Sequence, residues 1–181
     1  MAYTAFDRFV AWCRFRAARP HIRPGTRVCD IGCGLEARFL QWLGPRIRGG
    51  VGLDYQVCHG ATVVFTDITK GLPVKTAQFD HAVMLAVLEH LANPQEVLRE
   101  AHRVLAPGGS LIMTWPNAAV DPILDVLHRV GVVSKEMESE KHEQRIPLAT
   151  LQTMLREIGF TRFDHRTFEL GLNNLMVAYK P

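Results

Sequence analysis

A pair of glycines behind an aspartate is the first feature of the sequence that could do chemistry. Asp30 stands at the end of an apolar run, and Gly32 and Gly34 follow it directly before a pattern typical of a helix. Glycines let a backbone approach a ligand closely, and free N–H groups at a helix N-terminus attract a polar or anionic ligand. The stretch VCDIGCGLEARFL therefore predicts a nucleotide-binding turn.

Two further aspartates follow apolar runs that are predicted to be strands. Asp54 lies 20 residues beyond Gly34, where a carboxylate can hold the two hydroxyls of a ribose. Asp67 ends the next predicted strand, in the sequence FTDI. Because ligands of open α/β sheets bind along the carboxyl edge of the strands, we expect all three aspartates to lie around one site.

Two ligands are compatible with the glycine turn. Gly32, Gly34 and Ala37 match the dinucleotide pattern G-x-G-x-x-[G/A], which is weak by itself. Asp30 argues against a dinucleotide, because the position two residues before the first glycine is normally apolar in such sites. A carboxylate there suits S-adenosylmethionine, whose amino-acid tail carries an ammonium group near a sulfonium centre.

Strand and helix patterns alternate along the chain after residue 26. Strands are predicted over RVCDI, GVGLD, TVVFTD, FDHAVML and SLIMTWP, and helices over EARFLQWL, NPQEVLREAHRVL and PLATLQTMLREIGF. This alternation predicts a parallel sheet covered by helices. The residues after Phe160 predict two more strands about a turn at Gly171 to Asn174.

The length of 181 residues fits a single domain. Residues 1–25 are predicted to contain an N-terminal helix with Phe6, Phe9, Val10 and Cys13 on one face. Residues 118–145 combine a predicted helix, DPILDVLHRVGV, with a charged stretch, and we expect them to cap the substrate.

Composition and charge limit the class of protein. A hydrophobic content of 48% and a charged content of 22% are ordinary for a soluble globular protein, and no apolar run reaches the ~18 residues of a membrane span. The four cysteines form no CxxC pair and no metal-ligand spacing, so we expect no metal and a reducing, cytoplasmic environment. Residues 1–27 carry six arginines and one aspartate, which indicates either a solvated helix face or a surface for anionic substrate, lipid headgroups or nucleic acid.

Residues 26–117 resemble, in order, the class I S-adenosylmethionine-dependent methyltransferases. The similarity is to the broad type 11 group that contains the ubiquinone and menaquinone biosynthesis enzymes. The stretches that carry it are VCDIGCG (motif I), VGLDY (motif II), TDITKGLPVKTAQFDHAVMLAVLEHLANP and LREAHRVLAPGGSLIMTWPN. The resemblance implies an α/β, Rossmann-like, doubly wound sheet of seven strands, mostly parallel with an antiparallel C-terminal strand. It also implies S-adenosyl-L-methionine as the cofactor.

The resemblance further implies which residues hold this cofactor. Asp54 would bind the ribose, Asp67 would contact the adenine, and the carbonyls of Leu85 and Ala86 would reach the methionine tail. The full implied set is Asp30, Gly32, Cys33, Gly34, Glu36, Asp54, Tyr55, Asp67, Ile68, Leu85 and Ala86.

The sequence departs from the family pattern at two places. Glu36 replaces the third glycine of motif I. It is tolerated in the first helical turn with Arg38 balancing its charge, or it reaches the ammonium group of the cofactor, or it obstructs cofactor binding. Residues 55–62 leave too little chain between the second and third strands for the usual crossover helix, which must be reduced to about one turn.

Methyl transfer to an oxygen usually needs a general base. The two candidates are His90, which follows the fourth strand, and His142, in the predicted cap. Each also has a non-catalytic interpretation, in which Glu89 and His90 fix a loop by hydrogen bonds and His142 is a surface residue. Trp115 and Asn117, after the fifth strand, could line the acceptor pocket.

The acceptor is predicted to be a small molecule or a lipid-linked compound, methylated at O, N or C. Nucleic acid is disfavoured because LAVLEH, after the fourth strand, does not resemble an NPPY motif. Peripheral contact with a membrane stays open, as does the oligomeric state. The alternatives are a non-catalytic binding protein of the same fold and a small NAD-dependent oxidoreductase, which Asp30 and the lack of a catalytic Tyr/Lys pair oppose.

Overall fold

A seven-stranded sheet organises the computed structural model, which describes residues 5–34, 36–55, 63–117 and 146–181. The strands are β1 (Arg27–Ile31), β2 (Gly49–Asp54), β3 (Val63–Phe65), β4 (Phe79–Leu85), β5 (Leu105–Pro116), β6 (Arg162–Phe168) and β7 (Asn173–Tyr179). Their order is β3-β2-β1-β4-β5-β7-β6, with β1 to β5 parallel and β7 antiparallel to both of its neighbours. The predicted fold class is confirmed.

The strand order reverses between β1 and β4. From β1 the chain proceeds outward to β2 and β3, and it then returns to β4 on the other side of β1. The loops that leave the carboxyl ends of β1 and β4 therefore diverge, and open α/β sheets bind their ligands at such a point. The glycine turn follows β1 directly, and the segment from Ala86 to His90 follows β4.

Four α-helices are described: α1 (Ala5–Ala18), α2 (Arg38–Leu43), α3 (Pro94–Val104) and α4 (Leu148–Ile158). Successive side chains of a strand point to opposite faces, and the two faces of this sheet carry separate cores. Val28 of β1 and Val83 of β4 pack with α1 and α2, whereas Cys29 and Met84 pack with α3 and α4. The central strands are consequently buried on both faces, which explains their almost continuous apolar sequences.

The N-terminal helix α1 is present within residues 1–25, but the residues that share its apolar face in the sequence are not the ones it buries. Phe9 is 55% exposed, and the buried residues of α1 are Asp7, Ala17 and Ala18. The two small alanines let the C-terminal end of the helix approach the sheet closely, so packing there overrides the apolar pattern of the first two turns. A short 3₁₀ turn, Arg19–His21, follows the helix.

Helix α2 begins two residues later than predicted, at Arg38. The reason is Ala37, whose φ of 43° lies in the left-handed region and interrupts the helical path. The helix has only six residues. A helix dipole at this point is therefore weak.

Other boundaries differ more modestly. Strand β3 ends at Phe65, because Asp67 starts a 3₁₀ turn, and β5 begins at Leu105, across an irregular register with β4. The C-terminal hairpin turns at residues 169–172. Asn93 stands at the N-cap position of α3 but makes no side-chain capping bond, whereas Gly159, with a φ of 116°, ends α4.

Several predictions fall on residues outside the described ranges. These are the shortened crossover after Tyr55 and the predicted cap, residues 118–145, with its histidine His142. Within the described ranges, no helix has the length and apolar character that a bilayer span requires.

Candidate functional site

The glycine turn folds over the carboxyl end of β2. The N–H groups of Gly32 and Cys33 both donate to the carbonyl oxygen of Leu53, at 2.7 and 3.3 Å. Gly32 and Gly34 have φ angles of +73° and +69°, which side chains rarely adopt. The turn is thus fixed by β2, and its shape requires glycine at both positions.

The two glycines face different surroundings. A Cβ atom at Gly32 would lie 2.5 Å from Cγ2 of Val87, so the segment after β4 packs directly on the turn. A Cβ atom at Gly34 would meet nothing within 4 Å. Gly34 therefore borders open space, and this is the side from which a ligand can approach the backbone.

Asp54 links the end of β2 to this open side. Its Oδ2 atom accepts a hydrogen bond from the N–H of Gly34 at 2.8 Å, and the residue is buried. A carboxylate has about four acceptor positions. The bond to Gly34 is therefore compatible with further bonds to the hydroxyls of a ribose.

Asp30 is a second buried carboxyl group at the same edge of the sheet. Its burial, and to a lesser degree the nearby charge of Asp54, raise its pKa to about 7. An ammonium group placed beside it would oppose both effects and favour the ionised form. The position is suited to a ligand with a positive end.

Cys33 has a packing role in the turn. Gly52 lies across from it on β2, and a Cβ atom there would lie 2.6 Å from the Cys33 sulfur. The Cys33 thiol also donates to the carbonyl oxygen of Gly34 at 3.4 Å. Gly52 is thus the residue that makes room for the cysteine side chain.

Glu36, which replaces the family's third glycine, forms an ion pair with Arg38. Its carboxylate accepts a hydrogen bond from Nε of Arg38 at 2.7 Å, and its side chain is largely exposed. Gln41 donates to its backbone carbonyl at 2.6 Å. The charge of Glu36 is balanced by Arg38, the partner that the sequence suggested.

Asp67 caps the short 3₁₀ turn Ile68–Lys70. Its Oδ1 atom accepts from the backbone N–H and the hydroxyl of Thr69, at 3.1 and 2.6 Å, and Oδ2 lies 3.2 Å from Nζ of Lys70. These hydrogen bonds hold the pKa of the Asp67 carboxyl below its usual value. Ile68 is buried in the core beneath, and Thr66 is tied to the site by a bond from its N–H to the carbonyl of Asp54 at 2.8 Å.

The segment after β4 reaches the turn from the other side. Ala86 has a left-handed φ of 58°, and its N–H donates to the backbone carbonyl oxygen of Thr114 in β5 at 3.0 Å. This backbone twist directs Val87 onto Gly32. His90 ends the following 3₁₀ turn, Leu88–His90, and is partly buried.

Comparison with known proteins decides the family. A model of the methyltransferase domain matches residues 4–163 of this chain. The chain belongs to the methyltransferase domain family. It is a class I methyltransferase similar to the ubiquinone and menaquinone biosynthesis type, and its cofactor is S-adenosylmethionine.

The individual relatives and solved structures share between 19% and 30% of their residues with this chain. The ubiquinone/menaquinone biosynthesis C-methyltransferase of Pseudomonas fluorescens is 27% identical over 94% of this chain and 78% of its own. The ubiquinone biosynthesis O-methyltransferase of Pseudomonas aeruginosa is 30% identical, but over 51% of this chain and 45% of its own. A methyltransferase structure from Thermotoga maritima covers 96% of this chain and 90% of its own at 19% identity with a TM-score of 0.72, a likeness of fold.

The methyltransferase fold brings most of the predicted residues to one edge of the sheet. Gly32, Gly34, Asp54 and Val87 are linked by the contacts above, with Asp30 in β1 and Asp67 after β3. Tyr55 directly follows Asp54 and is exposed, and Leu85 ends β4 and is partly buried. Among the described residues, no group of three or more His, Cys, Asp or Glu side chains could hold a metal.

Two contact residues of the candidate site, Val87 and Gly52, are not predicted from the sequence. Val87 lies on Gly32 and Gly52 accommodates Cys33, and both contacts join segments that are distant along the chain. Gly52 lies within the predicted strand GVGLD, and a glycine inside a strand is a sequence signal that another segment approaches the backbone closely. No sequence signal distinguishes Val87 from other apolar residues of its segment.

Proposed function

We propose that this methyltransferase transfers a methyl group from S-adenosylmethionine to an O, N or C atom of a small-molecule or lipid-linked acceptor. The observation that carries the proposal is the bond between Asp54 and Gly34, beside a glycine face that is open to a ligand. The family supplies the reaction, and the geometry of the turn supports the assignment of residues to it.

In this proposal, Asp54 binds the ribose hydroxyls while keeping its bond to Gly34, and the open backbone face of Gly34 gives the methionine tail room to approach the turn. Asp30 provides the negative charge for the ammonium group, since its burial makes an added cation favourable. The backbone carbonyls of Leu85 and Ala86 accept from the same ammonium group. Cys33 and Gly32 contribute backbone shape.

The adenine side is proposed to involve Asp67, Ile68 and Tyr55. The ion pair between Asp67 and Lys70 is exposed, and pairs of this kind contribute little free energy. An exocyclic amino group can therefore replace Lys70 at Oδ2 without disturbing the cap that Oδ1 makes. Tyr55 has an exposed ring next to Asp54, which suits it to lie along the adenine face.

Glu36 is proposed to be tolerated. Its carboxylate is held by Arg38 and not by the backbone of the turn, and the open face of Gly34 is compatible with bound cofactor. The second candidate function, a binding protein that has lost catalysis, would gain support if Glu36 obstructed the site.

S-adenosylmethionine brings a methyl group that its sulfonium charge already activates for in-line displacement. The protein therefore mainly has to align the acceptor and, for an oxygen acceptor, remove its proton. His90 is the proposed base, since its segment packs against the glycine turn through Val87. His142, in the predicted cap, stays the alternative base.

The class of acceptor is proposed from the relatives. One relative is named as a C-methyltransferase and another as an O-methyltransferase of ubiquinone biosynthesis, so both atoms remain in the proposal. A reducing cytoplasm is the proposed compartment, because Cys13, Cys29 and Cys33 are free thiols.

Labelled methyl transfer tests this function. The protein is incubated with methyl-labelled S-adenosylmethionine and a bacterial metabolite extract, which is then separated into water-soluble, lipid and nucleic-acid fractions. We expect label in the first or second fraction, and a loss of at least tenfold in the Asp54→Ala variant. Label only in nucleic acid would contradict the proposed acceptor class. Cofactor binding without label in any fraction would favour the binding protein.

A further inference from the structure

Aromatic side chains occupy the outer surface of α1 and α2. Phe9 is 55% exposed, Trp12 is 43% exposed and Trp42 of α2 is 39% exposed. The two helices cover the same face of the sheet, since both contribute to one core, through Ala17, Ala18, Phe39 and Leu43. Large apolar side chains left on such a surface indicate an interaction site.

These rings lie in two contacting pairs, and Trp12 and Phe15, one from each pair, are three residues apart and therefore adjacent on the surface of α1. The ring centroids of Phe9 and Trp12 are 6.1 Å apart, and Phe15 lies 6.1 Å from Trp42. Phe15 also packs at 5.2 Å on the buried ring of Phe39, which anchors the patch to the core. We name Phe9, Trp12, Phe15 and Trp42 the aromatic patch.

Arginines border the aromatic patch. The guanidinium of Arg16 lies 4.8 Å from the ring centroid of Trp12, and that of Arg19 lies 5.5 Å from the ring centroid of Trp42. Arg8 is exposed on the same helix, whereas Asp7, the one acidic residue in α1, is buried. The exposed surface of α1 is therefore both apolar and positively charged.

The hairpin between β6 and β7 adds an apolar tip beside this helix. Leu170 is fully exposed there, and β6 is tied to α1 by a hydrogen bond of 2.9 Å from the Arg166 guanidinium to the carbonyl oxygen of Ala17. Leu170 has a φ of 56°, a conformation in which asparagine or glycine is usual. The backbone conformation of this tip is unfavourable for a leucine. The exposure of its side chain to water is also unfavourable, unless the tip enters an apolar environment.

We infer that the aromatic patch, Arg16, Arg19 and the Leu170 tip form a docking surface for a bilayer that contains anionic phospholipids. Tryptophan is enriched at the level of lipid headgroups, and arginine pairs with lipid phosphates while its stem stays in contact with apolar groups. An acidic protein would explain the arginines but not the lone exposed leucine. The inference goes beyond the proposed function, because it holds whether or not the methyl acceptor is lipid-linked.

Vesicle sedimentation of the full chain, without cofactor, tests this inference. The vesicles are phosphatidylcholine alone or phosphatidylcholine mixed with phosphatidylglycerol. We expect at least tenfold tighter binding to the mixed vesicles, and weakening of that binding by salt. Brominated lipids should quench Trp12 and Trp42 fluorescence in a Trp115→Phe background.

Variants locate the surface. The pairs Phe9→Ser/Trp12→Ser and Arg16→Gln/Arg19→Gln should each weaken binding at least tenfold, and Leu170→Asn should weaken it severalfold without disturbing the turn. Arg99→Gln/Arg156→Gln removes the same charge from α3 and α4, on the opposite face, and should leave binding within twofold. Circular dichroism of each variant verifies the fold.

Three results would overturn the inference. The first is absence of binding to the mixed vesicles. The second is a loss of vesicle binding in the Arg99→Gln/Arg156→Gln control as large as in Arg16→Gln/Arg19→Gln. The third is binding to soluble polyglutamate that does not depend on Phe9 and Trp12. The last result would indicate an acidic protein partner. Calorimetry with S-adenosylmethionine on the same preparations reports on the proposed function separately, so the two failures are distinguishable.

Discussion

Asp54 and Gly34 are joined by a hydrogen bond of 2.8 Å from the glycine N–H to Oδ2 of the carboxylate. The bond ties the end of β2 to the turn after β1, and it fixes the shape of the turn before any ligand arrives. We therefore propose two functions for Asp54, which shapes the turn and binds the ribose hydroxyls.

Replacement of Asp54 by alanine should weaken S-adenosylmethionine binding by an order of magnitude or more, because a charge-assisted contact is lost. The variant should also be less stable by about 1–3 kcal/mol, since the partly buried N–H of Gly34 loses its acceptor. Calorimetry and urea unfolding measure the two effects. Asp54→Asn, which keeps an acceptor oxygen, should recover more of the stability than of the affinity. Full affinity in the alanine variant would move the ribose site elsewhere.

Asp30 should make cofactor binding depend on pH. Its carboxyl has a raised pKa of about 7, and binding of an ammonium group requires the ionised form. Below pH 7, binding should therefore release up to about one proton from this group, and affinity should rise as the pH rises through 7. Calorimetry in buffers of different ionisation enthalpy measures the release, and the difference from Asp30→Asn isolates this carboxyl.

The same group should affect stability in the opposite direction. The folded chain keeps the proton of Asp30 up to about pH 7, whereas the unfolded chain releases it near the ordinary pKa of 3.8. The contribution of Asp30 to the free energy of unfolding is therefore largest below the ordinary pKa and decreases as the pH rises towards 7. Urea unfolding should show this slope in the wild type and a smaller slope in Asp30→Asn. Identical slopes would contradict the buried position of the group.

The stability cost of a side chain at Gly32 has two parts, the clash with Val87 and the positive φ angle, and a second glycine allows them to be measured separately. Gly32 and Gly25 have nearly equal φ angles, +73° and +72°, but a Cβ atom at Gly25 would meet nothing within 4 Å. Gly32→Ala should therefore cost about 1–3 kcal/mol more than Gly25→Ala, because it overpacks Val87. A Val87→Ala background should reduce this difference, as measured by urea unfolding. Equal losses at the two glycines would show that Val87 does not pack on the turn.

Glu36→Gly should lower stability by about 1 kcal/mol or less, through added freedom of the unfolded chain and loss of the pair with Arg38. Cofactor affinity should stay level or fall. Glu36→Gln, which removes the charge alone, is the control. A large gain of affinity in the glycine variant would instead show that Glu36 obstructs the site and that this chain has lost its methyl donor.

The sheet could be predicted because its signals are local. Apolar runs bounded by glycine and aspartate located β1, β2 and β4, and their alternation with helices indicated the parallel arrangement. The glycine spacing and Asp54 likewise located the turn.

The remaining features depend on contacts that no local pattern records. Ala37 adopts a left-handed angle that alanine does not favour, so the start of α2 was misplaced. Phe9 is exposed although its spacing placed it on an apolar helix face, because Ala17 and Ala18 make the close contact with the sheet. Val87 meets Gly32 only once β1 and β4 are adjacent.

Calorimetric titration with S-adenosylmethionine and S-adenosylhomocysteine, on the wild type and on Asp54→Ala, measures whether this chain binds its methyl donor through Asp54. We predict that both compounds bind the wild type at one site and that the variant binds them at least tenfold more weakly. Absence of binding to the wild type, or equal binding to both proteins, would contradict it.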